Sequence, residues 1–283
     1  MLKDAIAHFR KELAPFYPKG EIDGMKLVVF DHLLHYSQVD MILHADDEIP
    51  DFIAEKLDSI IDRLKRYEPI QYIIGDAYFY GYHFKVTHDT LIPRPETEGL
   101  IDMIVDENSG EDLHVLDIGT GSGCIAISLS LALKFPIVYA TDISQAALAV
   151  ARENATTLKG KVKFVQSDIL AADPGINERF DIIVSNPPYI CDEERNEMDK
   201  NVLDYEPHSA LFVPNEDPML FYRAISRYAI QALNPGGRLY LEINSRFPKE
   251  TCSLLQKIGF ENVLAENDYC GRPRFVKATK STG

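Results

Sequence analysis

Basic residues are scarce in this chain: 29 Lys+Arg stand against 44 Asp+Glu in 283 residues, a formal net charge of −15. A surface of that sign repels a phosphate backbone unless a local basic stripe overrides it, which counts against broad nucleic-acid binding. Neither half of the sequence supplies the stripe. Residues 1–74 hold 9 basic and 14 acidic side chains, net −5, which leaves −10 for residues 75–283. Cysteine is scarce too. Cys124, Cys191, Cys252 and Cys270 are scattered with no C-x-x-C pair, so a reducing, cytoplasmic setting with small buried thiols is expected. No apolar run approaches the ~20 residues that span a bilayer. The start, MLKDAIAHFRKEL, carries charges where a signal peptide needs an apolar core.

What is present is a globular composition, 46% hydrophobic and 26% charged, in a length that fits one large domain or two unequal ones. Residues 1–74 read as helices only. After Pro50, apolar residues at Phe52, Ile53, Leu57, Ile60, Ile61 and Leu64 follow the 3.6-residue stripe of an amphipathic helix. Two further helices are expected, over residues 2–13 and through Met25–Leu34. Single apolar stripes must pack on one another, which predicts a small bundle.

The texture changes at Gly75. Tyr78, Tyr80, Tyr82, Phe84 and Val86 alternate with Phe79, Gly81, His83 and Lys85, the period of two that predicts a hairpin across residues 75–90. Two prolines in the segment LIPRPETE, residues 91–98, then forbid a regular element until a helix resumes near Thr97. From residue 113, β-branched runs alternate with helical stretches. Strands are expected at His114–Ile118, Ile137–Asp142, Val162–Gln166, Phe180–Ser185 and Arg238–Ile243, with two more near 261–265 and 273–278. Such alternation argues for an α/β fold with a mostly parallel, doubly wound sheet, whose ligand sits at the carboxyl ends of the strands. Domains are therefore expected at 1–74 and 91–283, joined by the hairpin.

The first strand runs into Asp117-Ile118-Gly119-Thr120-Gly121-Ser122-Gly123 just before a helix. Glycines let a ligand approach the backbone closely, and the helix N-terminus offers N–H groups and the positive end of a dipole. The pattern is G-x-G-x-G rather than the dinucleotide G-x-G-x-x-G, since Cys124 occupies the third position beyond Gly121. Nineteen residues after Gly123, Asp142 ends the second strand, where an acid can accept hydrogen bonds from both hydroxyls of a ribose. After the third strand, Asp168 and the Ile169 backbone could meet an adenine edge, or Asp168 could simply cap the strand. Together the three loops favour a nucleoside cofactor.

The fourth strand delivers Asn186-Pro187-Pro188-Tyr189. This set suits methylation of a planar nitrogen, whose lone pair is delocalised and poorly nucleophilic. If the Asn186 side-chain oxygen and the Pro187 carbonyl accept its two N–H hydrogens, the nitrogen is oriented and gains tetrahedral character, while Tyr189 packs against its plane. Proline fixes φ and gives up its own N–H, so the loop presents acceptors in a preset arrangement. The electrophile is then a methyl group on a sulfonium. No metal-ligand cluster is visible, and none is required.

At this point the chain resembles class I S-adenosylmethionine-dependent methyltransferases that act on planar amino nitrogens. More narrowly, the segments Pro69–Gly75, Arg94–Glu98, Asn186–Ile190, Tyr205–Pro207 and Leu233–Gly237 resemble the HemK-type release-factor glutamine N5-methyltransferases along nearly the whole chain. The resemblance implies a seven-stranded Rossmann-like methyltransferase sheet behind a small helical domain that grips the release factor. It implies methylation of the Gly-Gly-Gln glutamine of peptide chain release factors, with S-adenosyl-L-homocysteine as product. It places Gly119, Thr120, Gly121, Ser122, Gly123, Asp142, Ile169 and Asn186 around the cofactor, and Asn186, Pro187, Pro188 and Tyr189 on the substrate glutamine. Ile169 is a departure, since a large aromatic stands there in some relatives. Arg94 and Glu96 have two readings, at the mouth of the site or in an ion pair at the hinge. The acidic run Asp192–Glu197 reads as a solvated loop over the site. The runner-up is a nucleic-acid adenine N6-methyltransferase, which must grip phosphates and is disfavoured by the charge. A monomer without membrane or direct nucleic-acid contact suffices for this reading.

Overall fold

The computed structural model describes residues 1–171 and 175–283, and the chain divides into two compact units. The first is Met1–Gly75 together with Asp199–Tyr205; the second is Asp76–Met198 with Glu206–Gly283.

In the first unit, α1 (Leu2–Leu13), α2 (Lys19–Leu34), α3 (Gln38–Leu43), α4 (Asp51–Leu64) and α5 (Ile70–Ile74) close around one core. The α4 stripe buries Ile53, Leu57, Ile60, Ile61 and Leu64, each such side chain contributing about 1.5–3 kcal/mol on burial. Phe52, counted with that stripe in the sequence, lies 58% exposed instead. As the second residue of α4 it precedes the first buried position by one step, a rotation of about 100° away from the core. The short helices α3 and α5 were not expected. Ser37 caps α3 through a reciprocal bond pair with Asp40, which lets six residues hold a helix.

The second unit begins with a hairpin of β1 (Asp76–Phe79) and β2 (Tyr82–Lys85). The single alternation read across 78–86 breaks at its turn. Tyr80 and Gly81, both at positive φ, form a two-residue connection, so Ala77 and Phe79 on one strand face inward with Phe84 on the other. Phe79 and Phe84 meet edge to face at 6.0 Å inside the main core.

There follow α6 (Pro95–Glu107), β3 (His114–Ile118), α7 (Cys124–Ala132), β4 (Ile137–Asp142), α8 (Gln145–Leu158), β5 (Val162–Gln166), β6 (Phe180–Ser185) and the two-residue β7 (Ile190–Cys191). After α9 (Lys200–Tyr205), which belongs to the first unit, come β8 (Phe212–Val213), α10 (Leu220–Ala232), β9 (Leu233–Glu242), α11 (Pro248–Ile258), β10 (Phe260–Asn267) and β11 (Pro273–Lys280). The expected sheet is present: seven strands in the order β10-β11-β9-β6-β3-β4-β5, with β11 antiparallel to both neighbours and the pairs from β9 to β5 parallel. Strands β3 and β6 are almost continuously buried because helices cover both faces. Register then sets the site. Ile118 pairs with Thr141 on one side and Ser185 on the other, and Asp142 pairs with Gln166, so four strands end in one row. The order reverses between β3 and β6, the switch point where such sheets open a crevice. No helix among the described residues is long and apolar enough to cross a membrane.

Candidate active site

A cavity of about 490 Å³ lies along that row. Each strand end contributes: Gly119 and Gly121 after β3, Asp142 at the end of β4, Asp168 and Ile169 after β5, and Asn186, Pro187 and Pro188 after β6. These eight are brought together as the sequence suggested. Thr120, Ser122, Gly123 and Tyr189 do not line the cavity. Among the described residues the lining holds three carboxylates, Asp89, Asp142 and Asp168, and no lysine or arginine. Its field suits a cation and opposes a phosphate.

The glycine loop shows the same preference in its backbone. Three of its N–H groups are taken: Gly119 and Thr120 both donate to the Thr141 carbonyl at 2.8 and 2.9 Å, and Gly121 donates to Asp142 Oδ2 at 2.8 Å. The loop therefore offers close approach rather than an anion nest. Gly121 stands at φ +55, and a Cβ added there would meet no atom within 4 Å, so a ligand can lie directly on the backbone. Gly123, the α7 cap at φ +85, is glycine for packing as well, since an added Cβ would come within 2.9 Å of Ile127 Cδ1.

Asp142 ties two loops at once. Oδ2 takes the Gly121 N–H and Oδ1 the Ser144 N–H at 2.9 Å, each oxygen keeping lone pairs for a ligand. Burial raises its pKa, and those two N–H bonds partly oppose the rise. Beneath the loop, Asp117 is wholly buried; Oδ2 accepts from Thr120 Oγ1 at 2.7 Å and from the Ala126 N–H at 3.2 Å, while Oδ1 has no partner. Burial pushes this carboxyl up to about 7.

The Asn186–Tyr189 segment is fastened from behind. Ser185 Oγ donates to the Ile118 carbonyl at 2.6 Å. Tyr189 hydroxyl donates to Glu242 Oε1 at 3.0 Å, and the Tyr189 carbonyl accepts from Asn244 Nδ2 at 3.0 Å. Burial raises the Tyr189 pKa strongly, so its hydroxyl stays a donor. Asn186 Nδ2 donates to Thr97 Oγ1 at 3.3 Å.

Of the two motif residues with two readings, Arg94 proves to be a strap, and its neighbours Thr97 and Glu98 are straps as well. Arg94 Nη2 donates to Glu206 Oε1 at 2.6 Å, where Glu206 is buried and also accepts from the Ile92 N–H at 3.4 Å. Thr97 Oγ1 donates to Glu242 Oε2 at 2.7 Å, and Glu98 accepts the Tyr80 N–H of the hairpin turn at 2.8 Å. The acidic run is also more than a solvated loop. It forms a six-residue 3-10 helix, Asp192–Glu197, in which Glu194 Oε1 accepts from the Cys191 N–H at 2.8 Å and from Asn244 Nδ2 at 2.9 Å. Sequence reasoning passed over Asp89, Phe212 and Phe221 on the cavity wall, which carry no motif signal, and Glu242 behind it. Glu242 alone had a usable one, an acid closing a β-strand.

A family profile described as "Methyltransferase small domain" matches residues 96–204, and one described as "PrmC N-terminal domain" matches residues 4–75. A Flavobacterium psychrophilum protein named release factor glutamine methyltransferase is 41% identical over 281 residues, covering 98% of this chain and 98% of its own. One of the same name from Bacteroides thetaiotaomicron is 42% identical over 274 residues, 97% of this chain and 98% of its own. Among solved structures, a methyltransferase from Pyrococcus furiosus superposes with a TM-score of 0.53 at 17% identity, over 72% of this chain and 91% of that one, a likeness of fold.

Proposed function

This chain belongs to the release factor glutamine methyltransferases, and on that premise we propose how it acts. It methylates the side-chain amide nitrogen, N5, of the glutamine in the Gly-Gly-Gln motif of peptide chain release factors, which supports translation termination. The methyl donor is S-adenosyl-L-methionine, and S-adenosyl-L-homocysteine is the product. The observation that carries this reading is Asn186-Pro187-Pro188 on the wall of a cavity whose only charged lining side chains, among the described residues, are acidic.

S-adenosyl-L-methionine, when bound, supplies a methyl group activated by a sulfonium. Asp89, Asp142 and Asp168 give the cavity the sign that holds such a cation. Asp142 accepts from ribose hydroxyls, Asp168 and Ile169 meet the adenine, and the open faces of Gly119 and Gly121 let the ligand lie against the backbone. Thr120, Ser122 and Gly123 shape that loop from beneath.

Asn186 Oδ1 and the Pro187 carbonyl accept the two N–H hydrogens of the substrate amide. Tyr189, tied to Glu242, holds the segment's direction. Two acceptors aimed at one nitrogen draw its hydrogens out of the amide plane and free its lone pair. The N–C bond would form as the donor's S–C bond breaks, the bonding pair staying on sulfur, and one of those hydrogens would pass as a proton to solvent. The first unit grips the release factor, and the enzyme works as a cytoplasmic monomer on protein rather than nucleic acid.

The test is transfer of labelled methyl to a release factor, to its Gln→Ala variant and to duplex DNA. Label on the first alone is expected, and label on the variant or on DNA refutes the reading. Asn186→Ala loses mostly turnover, about 100-fold, through loss of an oriented acceptor. A variant that kept its kcat would take Asn186 out of the chemistry.

A further inference from the structure

An asparagine amide is nearly symmetric in shape, and its oxygen and nitrogen differ only in whether they accept or donate. If Asn186 is to accept a hydrogen from the substrate amide, its own nitrogen must be held away from the substrate. Backbone geometry cannot do this, because turning the amide by half a revolution fits the same space. Something must break the symmetry chemically.

Thr97, 2% exposed, and Glu242, 1% exposed, stand where that could be done. A threonine hydroxyl has one hydrogen to give and lone pairs to receive. The Thr97 hydrogen points to Glu242 Oε2 at 2.7 Å. Its oxygen can then only accept from the third member, and the group 3.3 Å away is Asn186 Nδ2. The second Glu242 oxygen is filled by the Tyr189 hydroxyl at 3.0 Å, so the same carboxylate also anchors the other end of the segment. Glu242 ends β9 and Thr97 lies in the first turn of α6, 145 residues apart in the chain, so no local turn brings them together.

We propose that Thr97 and Glu242 are positioning residues that fix which end of the Asn186 amide faces the substrate. Burial raises the Glu242 pKa, but the Thr97 and Tyr189 hydroxyls and the Arg274 charge oppose the rise, and with each oxygen receiving a hydroxyl hydrogen the group accepts at both ends; the threonine therefore gives to it, and Asn186 must give to the threonine. Its oxygen, which accepts from no described residue, is left toward the cavity that Asn186 lines. This inference rests on the proposed role of Asn186. Turning Glu242 into a donor would let the chain of bonds run backward and present an amino group where an acceptor is needed.

The experiment compares Thr97→Val, Thr97→Ser and Glu242→Gln in release-factor methylation, with a nuclear Overhauser contact between the Asn186 amide hydrogens and the Thr97 methyl as a second readout. Thr97→Val keeps the shape and removes the hydroxyl. Its kcat should fall at least about fivefold, the scale of one lost orienting hydrogen bond, with KM and affinity for S-adenosyl-L-homocysteine within about twofold. Thr97→Ser should restore most of the turnover, and Glu242→Gln should lower kcat and weaken the Overhauser contact. In an Asn186→Ala background, Thr97→Val should cost nothing further. Unchanged kcat in Thr97→Val, a loss that serine does not rescue, a change confined to KM, or an absent contact in the wild type would each overturn the relay. Failure of the wild type to methylate a release factor would instead remove the function, and the Overhauser contact would still decide the orientation.

Discussion

Replacing Asp117 by asparagine should change the pH dependence of stability in a direction fixed by the burial of its carboxyl. Buried under the glycine loop with one oxygen unpartnered, this group is pushed from 3.8 up to about 7. Below about pH 4 it is protonated in both folded and unfolded chains and costs nothing. Between about pH 4 and 7 the unfolded chain releases the proton while the folded chain keeps it. The unfolded state then binds fewer protons and stability falls as pH rises. Above about 7 both states are ionised and the loss levels off. The whole span amounts to about 4 kcal/mol at 1.36 kcal/mol per unit of pKa difference. From pH 5.5 to 8.5, above the range where so acidic a chain precipitates, about 2 kcal/mol of it is accessible.

Asparagine carries no charge at any of these pH values, so the variant lacks this slope. It retains an acceptor for Thr120 and Ala126, and its buried amino group adds a cost that does not vary with pH. The quantity to measure is the wild-type minus variant unfolding free energy, in which titrating groups that do not couple to Asp117 cancel; Asp142 and Cys124 do couple, and Asp142→Asn in both backgrounds removes the Asp142 contribution. With no tryptophan in the chain, urea unfolding is followed by circular dichroism. The difference should move against the wild type by about 2 kcal/mol as pH rises from 5.5 to 8.5. A flat difference would mean that Asp117 is already ionised in the fold. The same flat line is expected if hydrogen bonds outweigh burial and hold the folded pKa below 3.8, because that titration lies wholly below pH 5.5. Carbon-13 titration of the Asp117 carboxyl gives the same answer directly.

Two further outcomes follow from the geometry. Asp142→Asn loses the charge that serves Gly121, Ser144 and the ligand together, and should weaken S-adenosyl-L-homocysteine binding about 10- to 100-fold by calorimetry. Because burial raises the Asp142 pKa, wild-type affinity should weaken on acidification above the ordinary carboxylate range, and the variant's should not; parallel pH profiles would exclude Asp142 as the titrating group. Arg94→Ala leaves the Glu206 carboxylate, 1% exposed, without its cation and should destabilise the fold by about 3–5 kcal/mol in urea. A loss under about 1 kcal/mol would show the pair to be relaxed by water.

Four strands, His114–Ile118, Ile137–Asp142, Val162–Gln166 and Phe180–Ser185, fall where their β-branched runs place them; three are buried and announce themselves by composition, the edge strand Val162–Gln166 is only half-buried, and a glycine or an acid marks the end of the first two. The residues following three of them, and Asp142 closing the other, form the cavity, since parallel register puts strand ends in a row. The hairpin was harder. Its face assignment depended on whether Tyr80 and Gly81 extended the strand or turned it, and aromatic alternation looks the same either way. The pair β7 and β8, two residues each, is shorter than any period that could reveal it.

What pattern could not supply was partnership across the chain. Thr97 and Arg94 stand in a readable motif, yet their partners Glu242 and Glu206 lie 145 and 112 residues away, where only the folded sheet brings them close. The two acceptors proposed for the site differ for this reason in how much of them is local. The Pro187 carbonyl is aimed by its own rigid backbone and needs nothing beyond the segment that contains it. The Asn186 amide has a direction in space but no intrinsic choice of which end leads. On the proposed relay, a motif places the atom that accepts a hydrogen, while the identity of that atom is decided by a carboxylate two hydrogen bonds away.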